Sequence, residues 1–135
     1  MNDLQFRFRH TMLPVGNLAR SVDFYTRLLG MKVQRERMEG PGGHNVAYVG
    51  YGDEGTHPVL ELIENTGNHD KPWKGHIAIA VSDVPALVEK LKAEGVRFIR
   101  PVAEPKSGTN VYIAFICDPD GFEIEINQRK GGIYN

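Results

Sequence analysis

The sequence lacks several features that would place the protein in a specialised class. It has one cysteine, Cys117, which excludes an internal disulfide; we expect a small reduced side chain in a strand rather than a nucleophile, as fits the cytosol. The formal net charge of −1 gives no electrostatic reason to expect nucleic acid or an anionic membrane as a partner. The longest apolar runs, such as residues 111–117, are too short to span a bilayer, and the N-terminal residues do not resemble a secretory signal. We therefore expect a cytoplasmic protein.

What the sequence has is an internal repeat. Each copy opens on a histidine that leads a short extended segment, and each closes on a glutamate that lies between two apolar residues. Glu61 follows His10 by 51 residues, and Glu125 follows His76 by 49 residues. Two imidazoles and two carboxylates at matched spacing are enough for one metal site shared between the two copies.

The pattern of apolar residues and turn signals predicts the same order of elements in both copies. The first copy has predicted strands at 8–15, 31–37, 44–51 and 58–64 with a helix at 18–29; the second has strands at 75–81, 97–101, 110–117 and 121–128 with a helix at 84–94. Gly30 is the expected C-cap of the first helix and Ser82 the expected N-cap of the second.

These elements predict an α+β fold built from two βαβββ modules in tandem. At 135 residues the chain is expected to form a single domain, residues 1–135, with module one at about 8–64, a linker at about 65–74 and module two at about 75–128. We expect curved mixed sheets with the helices on their outer faces.

Alternation along the strands indicates that the histidines and glutamates share one face of each sheet. In the segment after His76, Ile77 and Ile79 point to one side, while His76 and the small residue Ala78 point to the other. The bulky face is expected to pack against the helices, which leaves the opposite face for a ligand. Glu61 lies on that opposite face by the same rule.

The second carboxylate has two candidates on this reasoning. Glu123 and Glu125 alternate with apolar residues and share a face, and the repeat spacing mildly favours Glu125. A set of two imidazoles and two carboxylates suits Ni, Co, Fe, Mn or Zn better than Ca or Mg.

Several segments also resemble a known family. They are HTML at 10–13, NLARSVDFYT at 17–26, LGMK at 29–32, YVGYG at 48–52, LEL at 60–62, GHIA at 75–78 and DPDGFEIE at 118–125. In this order, over residues 8–128, they resemble the short bacterial form of glyoxalase I (lactoylglutathione lyase), in the vicinal oxygen chelate superfamily. The resemblance implies a carbon–sulfur lyase that detoxifies methylglyoxal by isomerising its hemithioacetal with glutathione to S-D-lactoylglutathione.

The resemblance also implies roles for the repeated residues. It makes His10, Glu61, His76 and Glu125 the ligands of one divalent metal, with Ni or Co favoured and Zn possible, and so selects Glu125 over Glu123. The metal would act as a Lewis acid, while Glu125, with Glu61 as its counterpart, would move a proton between neighbouring carbons.

Resemblance and chain geometry together predict a homodimer. The linker at 65–74 is short for folding the two modules of one chain face to face, whereas pairing across a two-fold axis buries the module edges. Each site would take His10 and Glu61 from one chain and His76 and Glu125 from the other.

The resemblance further implies contacts to glutathione from Asn65, Arg100 and Lys106. One position departs from the family pattern, because Pro14 stands where similar glyoxalases carry the arginine that binds the γ-glutamyl carboxylate. Proline offers no donor there, so the identity or the affinity of the thiol is in question.

Two alternative functions remain open. Another vicinal oxygen chelate enzyme, such as an epimerase, an extradiol dioxygenase or a fosfomycin-resistance thiol transferase, would need a different ligand set; the latter two leave Glu61 without a role. A metal-free drug-sequestering protein similar to bleomycin-resistance proteins would leave the whole repeat unexplained. Turnover of methylglyoxal with glutathione separates these possibilities.

Overall fold

The protein was analysed as a computed structural model that describes residues 4–65, 75–100, 112–129 and 132–134. The chain divides into two compact units, Met1–Asp70 and Lys71–Asn135. Among the described helices, none has the length and apolar character needed to cross a membrane. The predicted linker lies almost wholly outside the described residues, so its role in a single domain stays a prediction.

The first unit has the predicted βαβββ order. Its elements are β1 (His10–Val15), α1 (Leu18–Asp23) with a π-helical continuation (Phe24–Leu28), β2 (Lys32–Arg37), β3 (Val46–Gly50) and β4 (Val59–Glu64). The four strands form one sheet in the order β1-β4-β3-β2. β1 runs parallel to β4 and the other neighbours are antiparallel, so the sheet is mixed, as predicted.

The first helix differs from the predicted continuous α-helix in its second half. Asn17 caps its start, with Oδ1 accepting from the Arg20 N–H at 2.9 Å, and Gly30 follows its end with a φ of 76°. From Phe24 the helix widens to π-type turns, which rotate the later side chains relative to an α-helix. Phe24, Tyr25 and Leu28 of this segment are buried.

The second unit repeats the arrangement with one strand fewer among the described residues. Its elements are β5 (His76–Ala80), α2 (Val84–Ala93), β6 (Tyr112–Cys117) and β7 (Glu123–Gln128). The sheet order is β5-β7-β6, with β5 parallel and β6 antiparallel to β7. The α+β class and the tandem βαβββ plan are confirmed.

Two local predictions in this unit are wrong. The strand predicted at 97–101 is not formed up to residue 100. The segment makes only an isolated bridge between Phe98 and Ile116, with two backbone hydrogen bonds to β6. The N-cap of α2 is Asp83 rather than Ser82: the Asp83 Oδ1 accepts from the Ala86 N–H at 3.0 Å. A carboxylate in this position also interacts favourably with the positive end of the helix dipole.

The alternation predicted for the strands is confirmed. In β5, Ile79 is buried while His76, Ala78 and Ala80 are exposed, and in β4 Leu62 is fully buried. The apolar faces pack with the helices of their own units, where α1 contacts β3 and β4 and α2 contacts β6 and β7. The opposite face of each sheet therefore carries the candidate ligands.

Candidate metal centre

The first unit brings His10 and Glu61 together on one face. β1 and β4 are parallel with His10 opposite Val59, so Glu61 lies two residues further along and projects to the same side. The His10 Nε2 is 3.6 Å from the Glu61 Oε1. The imidazole is one-third exposed and the carboxylate is mostly buried, since their side chains are 34% and 16% exposed.

The second unit forms the same pair from His76 and Glu125. Here His76 lies opposite Glu123 in the parallel register of β5 and β7, and Glu125 is two residues further along. The His76 Nε2 is 3.7 Å from the Glu125 Oε1. The offset equals that of the first unit, so Glu123 corresponds to Val59 and Glu125 to Glu61. The register therefore favours Glu125 over Glu123 as the candidate ligand.

The other oxygen of each glutamate is held by a different donor. Tyr48, opposite Glu61 across β3 and β4, donates its hydroxyl to the Glu61 Oε2. This hydrogen bond, with a smaller contribution from burial, raises the pKa of the Tyr48 hydroxyl and keeps its proton on the phenol. In the second unit, the Asn127 Nδ2 donates to the Glu125 Oε2 at 2.8 Å. In both units the Oε1 is the carboxylate oxygen nearest the imidazole.

An aromatic ring packs edge-on against the imidazole in the first unit. The Tyr48 ring lies 6.0 Å from the His10 ring at 73°. The Arg35 guanidinium lies over the Tyr48 ring, 3.9 Å from its centre, and its Nε donates to the Glu54 Oε1 at 2.6 Å. The Tyr48 ring thus contacts both the Arg35 cation and the His10 imidazole, which restricts the orientation of His10.

The same arrangement of imidazole, aromatic ring and arginine recurs in the second unit, with phenylalanine in place of tyrosine. The Phe115 ring lies 5.5 Å from the His76 ring at 86°, and the Arg100 guanidinium lies 4.0 Å from the centre of the Phe115 ring. Arg100, predicted as a thiol contact, is therefore placed beside the second His–Glu pair. Its guanidinium is exposed on this face of the unit.

Sequence reasoning missed these supporting residues, although a signal for some of them was present. Tyr48 follows His10 by 38 residues and Phe115 follows His76 by 39, so aromatic residues recur at matched offsets. Nothing comparable marked Asn127, because its counterpart two residues after Glu61 is an isoleucine.

The two pairs fit the ligands of a transition metal. Nitrogen and oxygen donors that share one ion at about 2.0–2.2 Å lie roughly 3.0–3.5 Å apart, close to the separations in both units. Neither unit gathers three or more His, Cys, Asp or Glu side chains into one group within its described residues. Among the described residues, each unit therefore offers two candidate ligands.

Of the residues predicted to contact the substrate, Asn65 is described by the structure and Lys106 is not. Asn65 follows β4, and its N–H donates to the Val15 carbonyl at 2.8 Å, so it continues the ladder on the face of Glu61. It lines a cavity of about 720 Å³ in the first unit. The other residues that line this cavity are Met38, Gly40, Pro41, Gly42, Gly43, Asn45 and Glu64. Lys106 lies outside the described residues.

Pro14 lies on the same face of β1 as His10, opposite Ile63 of β4. Backbone bonds to β4 come from the odd-numbered residues of this segment, since the Val59 N–H donates to the Arg9 carbonyl and the Asn65 N–H to the Val15 carbonyl. A residue at position 14 thus turns its backbone away from β4, towards the open side of β1. Proline is tolerated there because no ladder bond within this sheet is lost.

Cys117 does not take part in either pair. The thiol is half-buried at the end of β6, and burial raises its pKa, which disfavours the reactive thiolate. The expectation of a small packing residue rather than a nucleophile agrees with this environment.

Comparison with known proteins places this geometry in a family. A model described as the Glyoxalase/Bleomycin resistance protein/Dioxygenase superfamily matches residues 7–126, and the chain belongs to this superfamily. The chain is similar to the lactoylglutathione lyase of Neisseria meningitidis serogroup A, with 46% identity over 129 residues and 93% of each chain covered. It is 43% identical to the lactoylglutathione lyase of Escherichia coli O157:H7 over 128 residues, covering 92% of this chain and 93% of that one.

Solved structures agree with these relatives. The trypanothione-dependent glyoxalase I of Leishmania major is 41% identical with a TM-score of 0.76, and the match covers 93% of this chain and 88% of that one. The glyoxalase I of Zea mays is 38% identical with a TM-score of 0.77, over 91% of this chain and 44% of that longer chain.

Proposed function

We propose that the protein is a lactoylglutathione lyase, which isomerises the hemithioacetal of methylglyoxal and glutathione to S-D-lactoylglutathione. The observation that carries the proposal is the pair of matched His–Glu sites, His10 with Glu61 and His76 with Glu125, each with its Nε2 and Oε1 less than 4 Å apart. The names of the relatives that share about 40–46% identity with the chain support the same activity. A metal site that uses two histidines and only one carboxylate would leave one of these glutamates without a role.

The four side chains would hold one divalent metal, for which Ni or Co is favoured and Zn is an alternative. Once bound, the metal supplies Lewis-acid chemistry that polarises neighbouring oxygens of the hemithioacetal and acidifies the adjacent C–H bond. With His10, Glu61, His76 and Glu125 as its protein ligands, such an ion would also be able to bind a substrate that offers two adjacent oxygens.

Glu125 would move the proton between the two neighbouring carbons of the substrate. Its side chain is 19% exposed, so a small substrate on this face can reach it while most water is kept away. The Asn127 amide donates to the Oε2, and the Oε1 is the oxygen next to the His76 imidazole. Glu61 would serve as its counterpart in the other half of the site.

Asn65 and Arg100, with Lys106 as a further predicted contact, would bind the peptide part of the thiol. Asn65 is four residues beyond Glu61 on the same face, a distance of about 13 Å along a strand. An extended tripeptide spans roughly 10 Å, so glutathione attached at the metal can reach the neighbourhood of Asn65. The exposed guanidinium of Arg100 offers two parallel donors to a carboxylate of the same ligand.

A homodimer would complete the sites, each with one half from either chain. β1 and β5 are edge strands of their own sheets, and each carries the histidine of its pair. Leu4, Phe6 and Phe8, which precede β1, are 77%, 90% and 68% exposed, a concentration of apolar surface typical of a binding surface. Pairing across a two-fold axis can cover both the open edges and these side chains.

Metal removal tests the proposed activity directly. Protein treated with a chelator should lose its activity with methylglyoxal and glutathione, and Ni or Co should restore more activity than Zn. The measurement is the absorbance of the thioester product after addition of each metal to the metal-free protein. Full activity without metal, or no thioester with any of these metals, would contradict the proposal.

The two candidate carboxylates of β7 should respond differently to the same substitution. Glu125→Gln should lower kcat by about 10²–10⁴-fold, because a glutamine cannot accept the proton. Glu123→Gln is the matched control and should have a mild effect, since Glu123 occupies the position of Val59 in the repeat. Equal losses in both variants would refute Glu125 as the base.

Subunit mixing tests whether the sites are composite. His10→Ala and Glu125→Ala proteins should each be inactive, but their heterodimer contains one site without either substitution. With random exchange, half of the dimers are heterodimers with one intact site each, so about one quarter of wild-type activity should return. The absence of recovery after subunit exchange has been verified by mass spectrometry would place the sites within single chains.

Pro14→Arg tests the missing contact to the thiol. The loss of one charge-assisted hydrogen bond costs about 1.5–3 kcal/mol, or roughly 10- to 150-fold in affinity, so the wild-type KM for the glutathione hemithioacetal should be high with a nearly normal kcat. Pro14→Arg should lower KM, and the regained N–H should be tolerated because it faces away from β4.

Two results would overturn this expectation. A wild-type KM already as low as that of the E. coli relative, measured in parallel, would mean that Pro14 is silent. An unchanged high KM in Pro14→Arg would indicate a different thiol, and the trypanothione dependence of the Leishmania major relative makes that thiol the first to assay.

A further inference from the structure

The His–Glu pairs of the two units consist of the same residue types, but the donors to the second carboxylate oxygen differ. The Oε2 of Glu61 accepts from the phenol of Tyr48, which lies opposite it on the neighbouring strand. The position opposite Glu125 on its neighbouring strand holds Phe115, which has no hydroxyl. The Oε2 of Glu125 instead accepts from the side-chain amide of Asn127, two residues along its own strand.

The phenol is the stronger of the two donors. A hydrogen bond from a hydroxyl to a carboxylate is charge-assisted, and O–H···O⁻ bonds are shorter than bonds from a neutral amide N–H. The Arg35 cation, which lies 3.9 Å from the centre of the Tyr48 ring, draws electron density towards itself and makes the phenol a better donor. Glu54 holds Arg35 in place through contacts of 2.6 Å and 3.4 Å.

The surroundings strengthen this bond further. Tyr48 belongs to an apolar cluster with Val46 and Val59, against which Ile63 packs. The hydroxyl and the Glu61 carboxylate therefore meet where water competes little, and hydrogen bonds in such places are worth more than at the surface.

We propose that Tyr48 is a positioning residue that commits Glu61 to metal binding and leaves the transferred proton to Glu125. The phenol restrains the Oε2 of Glu61 and directs its Oε1 towards the space beside the His10 Nε2. Glu125 lacks this restraint because Phe115 occupies the corresponding position, so its carboxylate can accept and return a proton. This inference rests on the proposed function.

Tyr48→Phe removes only the hydroxyl, and Tyr51→Phe is its matched control. Tyr51 donates its hydroxyl to the Leu29 carbonyl at 2.7 Å, so its loss is chemically the same but does not touch a candidate ligand. For Tyr48→Phe, the Kd of the metal-free protein for Co²⁺ should rise about 10- to 100-fold, as for other residues that orient metal ligands. The visible absorption of the Co²⁺ form should change, while Tyr51→Phe should match wild type in both measurements.

The reciprocal change places a hydroxyl behind the other carboxylate. Phe115→Tyr should lower kcat at least about tenfold at saturating Co²⁺, because the new phenol restrains the base, without weakening Co²⁺ binding. Tyr51→Phe at saturating Co²⁺ should keep the kcat of wild type, since the Tyr51 hydroxyl contacts neither candidate carboxylate. Circular dichroism melting of the metal-free proteins checks that each variant is folded.

The outcomes are distinguishable from those of the proposed function. If wild type binds Co²⁺ and forms the thioester, a folded Tyr48→Phe with an unchanged Kd and spectrum overturns the inference alone, as does an undiminished kcat in Phe115→Tyr. If Tyr48→Phe is unfolded, Phe115→Tyr decides. If wild type neither binds Co²⁺ nor forms the thioester, the proposed function itself is wrong.

Discussion

The parallel pairing of the first and last strands of each unit is the constraint on which the candidate site depends. In an antiparallel hairpin the chain returns at once, but β1 and β4, and likewise β5 and β7, are joined through the rest of their unit. This pairing brings His10 beside Glu61 although 51 residues separate them. A shift of one residue in either register would turn the glutamate to the helical face and abolish the pair.

The chain can hold this register because the opposite face leaves little freedom. Leu62 of β4 and Ile124 and Ile126 of β7 are fully buried, and they alternate with the glutamates. A one-residue slip would bury Glu61 or Glu125 among apolar side chains and expose those apolar residues, both of which are costly. Packing on the helical side therefore fixes the geometry on the ligand side.

Most of this could be predicted from the sequence because both signals are periodic. Alternation set the faces of the strands, and the repeat paired each histidine with its glutamate before any contact was known. The change to π-helix at Phe24 was not predicted, because the apolar spacing of residues 18–29 is typical of a continuous α-helix. The matched offsets of Tyr48 and Phe115 were a usable signal, whereas the bond from Asn127 to Glu125 has no counterpart in the first copy.

The ligand faces of the two units differ in the side chains that surround the candidate ligands. β5 presents the small side chains Ala78 and Ala80, whereas the first unit surrounds Glu61 with a packed apolar cluster that includes Tyr48 and Val59. The four candidate ligand positions, in contrast, carry the same residue types in both units. A substrate with two different carbons and one thiol needs unlike surroundings.

Some of the positions that differ between the repeats lie at a fixed offset from the candidate ligands. Four residues after the histidines stand Pro14 and Ala80, and four residues after the glutamates stand Asn65 and Arg129. On strands, an offset of four keeps a side chain on the same face at about 13 Å, somewhat more than the roughly 10 Å span of an extended tripeptide. The four candidate ligands thus preserve the symmetry of the repeat, whereas the residues four positions further along differ between the two copies. This division lets a duplicated fold perform a reaction that has a direction.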